Sequence, residues 1–160
     1  MIYLGIDPGQ KGGVAYICSK TRQSYVVPMP DIFEFNFLID SWNIQHGIVH
    51  CFLEKAQAMP KQGVTSMFSY GQHFGQLQGV LVSHSIPFTL VKPQEWQKEM
   101  FKGSAEKTAG VKKDPKERAL EIVRRMFPKE KFLATMRCKK PHDGMIDSIL
   151  LAEFCRRKII

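Results

Sequence analysis

Four carboxylates in this chain stand where a carboxylate needs a reason. Asp7 ends the apolar run "IYLGI" and opens a Pro-Gly turn, and Glu54 ends a second run, "IVHCFL". Asp143 and Asp147 lie four residues apart in "HDGMIDSILLA". On a helix that spacing puts both acids on one face, with about 6 Å of rise between them. Each has a plain structural role open to it: an Asx turn for Asp7, a surface strand end for Glu54, helix-dipole and capping partners for the last pair. If the two strand ends are neighbours, three or four carboxylates converge at one edge of a sheet. Such a cluster is electrostatically costly unless cations neutralise it, and hard oxygen donors suit Mg²⁺, with Mn²⁺ as a substitute. Two such ions held about 4 Å apart activate water and stabilise the leaving oxygen in phosphodiester cleavage.

The surrounding pattern predicts the elements that position these acids. Residues 2–6 read as a central strand, "GVAYIC" as its hairpin partner and "SYVVPM" as a third strand. "DIFEFNFLIDSWNIQHG" reads as an amphipathic helix, with Asp31 as N-cap, Gly47 as stop, and Phe33, Phe37, Leu38 and Trp42 as its apolar side. "IVHCFLE" is a buried strand, followed by a long helix over about 65–85, a short strand "FTLV" and a Pro-started helix "PQEWQKEM". "KGSAEKTAGVKK" reads as a mobile basic loop, and "DPKERALEIVRRMF" as a capped helix with Pro115 at its first position. A last helix starts near Pro141–Asp143. Three strands followed by strand–helix alternation predict an α/β fold, a mixed five-stranded sheet with helices on both faces and the order of the ribonuclease H-like fold. All 160 residues are expected to form one nuclease-sized domain.

The net charge of +8 is concentrated. Residues 1–80 are neutral, while residues 98–140 carry fourteen Lys/Arg against six Asp/Glu, the whole of the excess. A basic segment beside a neutral body points to a polyanion, above all nucleic acid; a solvated helix face is the plain alternative. Cys18, Cys51, Cys138 and Cys155 lack CxxC spacing and read as free thiols. No apolar stretch is long enough for a membrane span, and Asp7 interrupts the run a signal peptide would need. The expected location is the cytoplasm, or another reducing compartment that holds DNA.

Taken in order, "GIDPG", Glu54, "GQLQGVLVS", "VKPQEWQK" and "HDGMIDSILLA" resemble the RuvC family of Holliday junction resolvases. "PKERALEIVRRMFP" and the spacing of the last two acids are especially similar to the plant chloroplast resolvases of that group. The resemblance implies a homodimeric, Mg²⁺-dependent endonuclease that makes paired nicks across a four-way junction. It makes Asp7, Glu54, Asp143 and Asp147 the metal ligands and Lys116 the basic residue near the scissile phosphate. Lys112 or Lys113 is expected to assist from the loop, and with Arg118, Lys139 and Lys140 of the basic segment they are the expected DNA contacts. Plain surface lysine remains the alternative for any of these cations.

Three features depart from the family pattern. The last two acids are spaced by four rather than three, and His142 beside Asp143 leaves the third ligand open between them. Where relatives carry a junction-opening aromatic three residues after the strand-four glutamate, this chain has Gln57. Tyr70 or Phe68 stands as a stacking substitute, with core packing the expectation for Phe68. Gly71, Gly75 and Gly79 recur at every fourth position, each costing roughly 1 kcal/mol relative to alanine in a helix interior. That stripe packs either on the chain's own sheet or, as the resemblance implies, at a dimer interface. The competing functions are another ribonuclease H-like nuclease acting on RNA–DNA hybrids or flaps, and a non-catalytic junction-binding module. An actin-like ATPase needs two such domains.

Overall fold

The first apolar runs pair into the core of a sheet. In a computed structural model that describes residues 1–55, 63–104, 107–108 and 111–159, with backbone alone at 107–108 and 111–112, the order is β1 (Ile2–Asp7), β2 (Gly13–Cys18), β3 (Ser24–Pro28), α1 (Ile32–His46) and β4 (Ile48–Glu54). Then come α2 (Val64–Ser83), β5 (Phe88–Val91), α3 (Pro93–Met100), β6 (Lys107–Thr108), β7 (Val111–Lys112), α4 (Pro115–Met126) and α5 (Asp143–Ile159). Strands β3-β2-β1-β4-β5 form one five-stranded sheet. Its β1–β2–β3 meander is antiparallel, and β4 and β5 run parallel to β1. This is the mixed sheet the sequence predicts.

Each face of the sheet buries its own apolar layer. On one, Ile2, Leu4 and Ile6 of β1 meet Phe35, Ile39 and Trp42 of α1 and Leu77 and Leu81 of α2. On the other, Tyr3, Ala15 and Phe52 meet Trp96, Ile122, Val123 and the apolar length of α5. The helix ends are those the sequence marks. The Asp31 carboxylate accepts from the Phe33 and Glu34 N–H groups at 3.0 and 2.9 Å, and Asp114 accepts from the Lys116 N–H at 2.7 Å. α1 stops at Gly47, whose φ of 69° is costly for other residues.

Two expectations change. Phe33 and Phe37 do not form the inner side of α1; they are 84% and 68% exposed, while Phe35, Ile39 and Trp42 are buried. α1 is apolar on several sides, so periodicity alone selects no single face. The segment read as a mobile basic loop carries a short antiparallel hairpin, Lys107↔Lys112 and Thr108↔Val111, where β-branched Thr108 and Val111 favour extended backbone.

At one end of α5, away from the carboxylate pair, Glu153 is fully buried yet ionised. Burial opposes its charge, but hydrogen bonds from Arg156 and Arg157 hold its pKa below the usual carboxylate value. Arg22, from the β2–β3 turn, reaches the same carboxylate at 3.4 Å and ties that hairpin to α5.

Candidate active site

Sheet topology delivers the first two acids together. β1 and β4 are parallel neighbours with Ile6 paired to Leu53, so Asp7 and Glu54, the next residues, leave the sheet side by side at one edge. The second pair arrives by unusually close packing of α5. At Gly5 an added Cβ would run into the backbone of Ser148 and Ala152, and at Gly144 into the backbone of Lys11 and Gly12. With no side chain between them, α5 rests on β1 and on the β1–β2 turn. Its first turns therefore bring Asp143 and Asp147 over the end of β1.

The electrostatics follow from that convergence. Burial raises the Asp7 pKa to about 9, helped by the charges of Asp147, Glu54 and Asp143, and nothing among the described residues offsets them. Asp147 rises to about 7, again mainly from burial and then from Glu54 and Asp143, with Lys116 opposing. Glu54 is raised by burial, but the Trp96 indole N–H donates to its Oε2 at 2.7 Å and counters the rise. Among the described residues, no three Asp, Glu, His or Cys side chains close into a cation cage. What the four form is an oxygen-rich negative edge, offset among the described residues only at its Asp143 side, by Lys116. That donor set fits a hard divalent cation, whose charge would reverse the penalty on Asp7 and Asp147.

Lys116 meets this edge: its Nζ donates to Asp143 Oδ2 at 2.6 Å, an exposed ion pair between the start of α4 and the start of α5. His142 is engaged through one ring nitrogen. Its Nδ1 accepts from the Met145 N–H at 3.3 Å, so that nitrogen is used at the N-terminus of α5. Trp96 is the residue that sequence reasoning missed. Its signal was present in "VKPQEWQK", but an indole on an amphipathic helix reads as core, which its ring also is, at 1% exposure.

The other expected DNA contacts divide. Lys139 and Lys140 are exposed on the segment before α5. Lys113 donates to Glu121 at 2.7 Å. Arg118 spends its guanidinium on Ser104 Oγ, at 2.9 and 3.1 Å, and on the Phe101 carbonyl, and lies over the Phe101 ring. That geometry makes it a tether between α4 and the end of α3. The side chain of Lys112 and all of Gln57 lie outside the described residues.

α2 presents three faces. Leu77 and Leu81 are buried against the sheet. Gly71, Gly75 and Gly79 look into open space, with no atom within 4 Å of an added Cβ, so the stripe does not pack on the chain's own sheet. By helical geometry Val64, Phe68 and Val82 share that side, and they are exposed by 85, 73 and 65%. Phe68 is thus outside the core, contrary to expectation. Tyr70 lies half-buried against Gly9, close enough to Asp7 and Glu54 that burial and their charges push its phenol up to about 12. The third face of α2 walls a cleft of about 1200 Å³ that reaches Glu54 and the Gly9–Lys11 turn.

No protein-family model and no curated protein sequence matches this chain. Solved structures do. Thermus thermophilus RuvC in complex with a Holliday junction substrate superposes with a TM-score of 0.59 at 17% identity, over 95% of this chain and 90% of that one. A second Thermus thermophilus RuvC structure gives 0.58 at 14%, over 95% and 91%. The yeast mitochondrial Holliday junction resolvase Ydc2 gives 0.59 at 12%, over 96% and 77%. Sheet order, helix placement and these superpositions agree: the chain has the RuvC-like form of the ribonuclease H-like fold.

Proposed function

We propose that the protein is a divalent-metal-dependent, structure-selective endodeoxyribonuclease that nicks four-way or otherwise branched DNA. The observation that carries this reading is the meeting of Asp7, Glu54, Asp143 and Asp147 at one edge of a RuvC-like sheet. Support for a junction substrate comes from the neighbour whose structure contains a Holliday junction.

Asp7, Glu54, Asp143 and Asp147 would hold Mg²⁺ or Mn²⁺. Bound there, the metal supplies Lewis-acid charge to the phosphate and lowers the pKa of the attacking water. Trp96 fixes Glu54 through one carboxylate oxygen and so orients the group that would help hold the cation. Lys116 brings an ammonium to the edge where negative charge builds on the phosphate in the transition state. Exposed Lys139 and Lys140, with the rest of the basic segment, follow the phosphates and supply affinity without sequence information.

A homodimer belongs to the same reading. The open glycine stripe of α2, continued by exposed Val64, Phe68 and Val82, offers a flat apolar surface on which a second backbone can approach closely. An isologous pair would present two carboxylate edges to a substrate that is itself two-fold.

The test is a labelled mobile four-way junction assayed beside an RNA–DNA hybrid and a flap, with and without Mg²⁺ or Mn²⁺. Symmetric metal-dependent nicks on the junction are expected. Cleavage of the hybrid alone would transfer the protein to ribonuclease H-type chemistry. Junction binding without cleavage under any metal would make it a binding module.

A further inference from the structure

The cleft beside Glu54 differs in chemistry from the phosphate-binding surface. Its α2 wall is the side bearing Ser69, Gln72 and Gln76, successive positions three and four apart that share one helical face. Gln94 at the N-terminus of α3 and Gln10 of the β1–β2 turn line it as well. The chain has 23 Lys and Arg, yet among the described residues only Lys11 and Lys55 line this cleft. A groove built to follow phosphates is lined with cations. This one is lined with amides and hydroxyls.

A side-chain amide carries a donor and an acceptor side by side, the pattern that pairs bidentately with a base edge, adenine N6 and N7 above all. Tyr70, half-buried at the cleft and fixed against Gly9, offers a ring on which an unstacked base can lie. His73, a further lining residue, has a buried Nε2 with no hydrogen-bond partner among the described residues. Burial holds its pKa below the usual value.

We infer that this cleft is a nucleobase-reading site that sets the sequence preference at the nick, with Gln72, Gln76 and Gln94 as the reading residues and Tyr70 as the stacking surface. The inference rests on the nuclease reading above and divides the labour on the DNA: cations before α5 hold the backbone, and neutral amides beside Glu54 read the bases next to the cut.

The experiment sequences nick positions on four-way junctions whose core base pairs are randomised. It compares wild type with the double variant Gln72→Ala, Gln76→Ala and with Gln94→Ala. Both glutamines of the double variant are exposed, so the fold has no need of them. Wild type is expected to favour particular bases at one or two positions flanking the nick. Each lost bidentate pair is expected to flatten that preference by roughly 5- to 100-fold, while the salt dependence of binding keeps its slope because no phosphate contact is removed. Nicking with the same preference in all variants would overturn the cleft's role and leave the nuclease reading intact. A reduced salt slope with unchanged preference would make the cleft a backbone groove and would equally overturn it. Failure of wild type to nick any junction would overturn both.

Discussion

Replacing Asp7 with asparagine is expected to stabilise the metal-free protein, and to do so more strongly as pH rises. In the unfolded chain Asp7 titrates near 3.8; in the folded chain it is held up to about 9. Between those values the native state keeps a proton that the unfolded state has released. The unfolding free energy therefore falls as pH increases, by about 1.4 kcal/mol per unit. Below pH 4 and above pH 9 the contribution is flat. Asparagine does not titrate, so the gap between variant and wild type widens by roughly 2–3 kcal/mol from pH 6 to pH 8. For a chain of this size that corresponds to roughly 5–10 °C in Tm. Asp147, raised to about 7, adds its own slope to both proteins and cancels in the comparison. The assay is thermal unfolding by circular dichroism at pH 6, 7 and 8 in the presence of a chelator. With Mn²⁺ the gap is expected to narrow, since ligand at 100 times its Kd stabilises wild type by about 2.7 kcal/mol. Parallel pH profiles for the two proteins in chelator, or a wild type that gains on the variant as pH rises, would refute the electrostatic account of this edge.

Glu54→Gln is expected to abolish nicking while junction binding, measured by gel shift, persists on phosphate contacts. Trp96→Phe keeps the packed ring and removes the donor to Glu54. The Mn²⁺ concentration for half-saturation, read by paramagnetic resonance and by activity, is expected to rise roughly tenfold, since hydrogen bonds to charged groups are worth about 1.5–3 kcal/mol. Gly75→Leu places a branched side chain in the centre of the open stripe and is expected to shift light scattering from dimer to monomer; a monomeric wild type would defeat the dimer. Changing Lys116, Lys139 and Lys140 together to alanine is expected to flatten the log–log salt dependence of junction affinity by roughly two to three units.

Much of this architecture was legible because its signals are local. Strand ends, caps and stops depend on neighbours within a few residues, and Asp31, Gly47, Asp114 and Pro115 all act where the sequence marks them. Asp7 and Glu54 were legible as a pair because a carboxylate at the tip of a buried strand is a costly choice. The inward face of α1 was not legible, because a helix apolar on several sides is oriented by what the sheet leaves room for. Arg118 read as a DNA contact because its tether to Ser104 and Phe101 is formed only in the folded chain. The bond from Trp96 to Glu54 spans 42 positions, and nothing near either residue announces it. The openness of Gly71, Gly75 and Gly79 likewise depends on how α2 is rotated on the sheet.

The bare contact of α5 with the sheet, on Gly5 and between Gly144 and Gly12–Gly13, has a consequence for how this protein tolerates change. Elsewhere in the core, helix and sheet are separated by a cushion of side chains, and substitutions there are absorbed by sliding one layer over another by fractions of an ångström. Where backbone touches backbone there is no cushion to thicken or thin. The spacing between the strand-end acids and the helix acids is thus set by peptide geometry alone. The apolar residues around it are free to drift over evolutionary time without moving the four carboxylates apart, provided Gly5, Gly13 and Gly144 remain. A lineage of such proteins would diverge almost everywhere in sequence and still keep those small residues beside its acids.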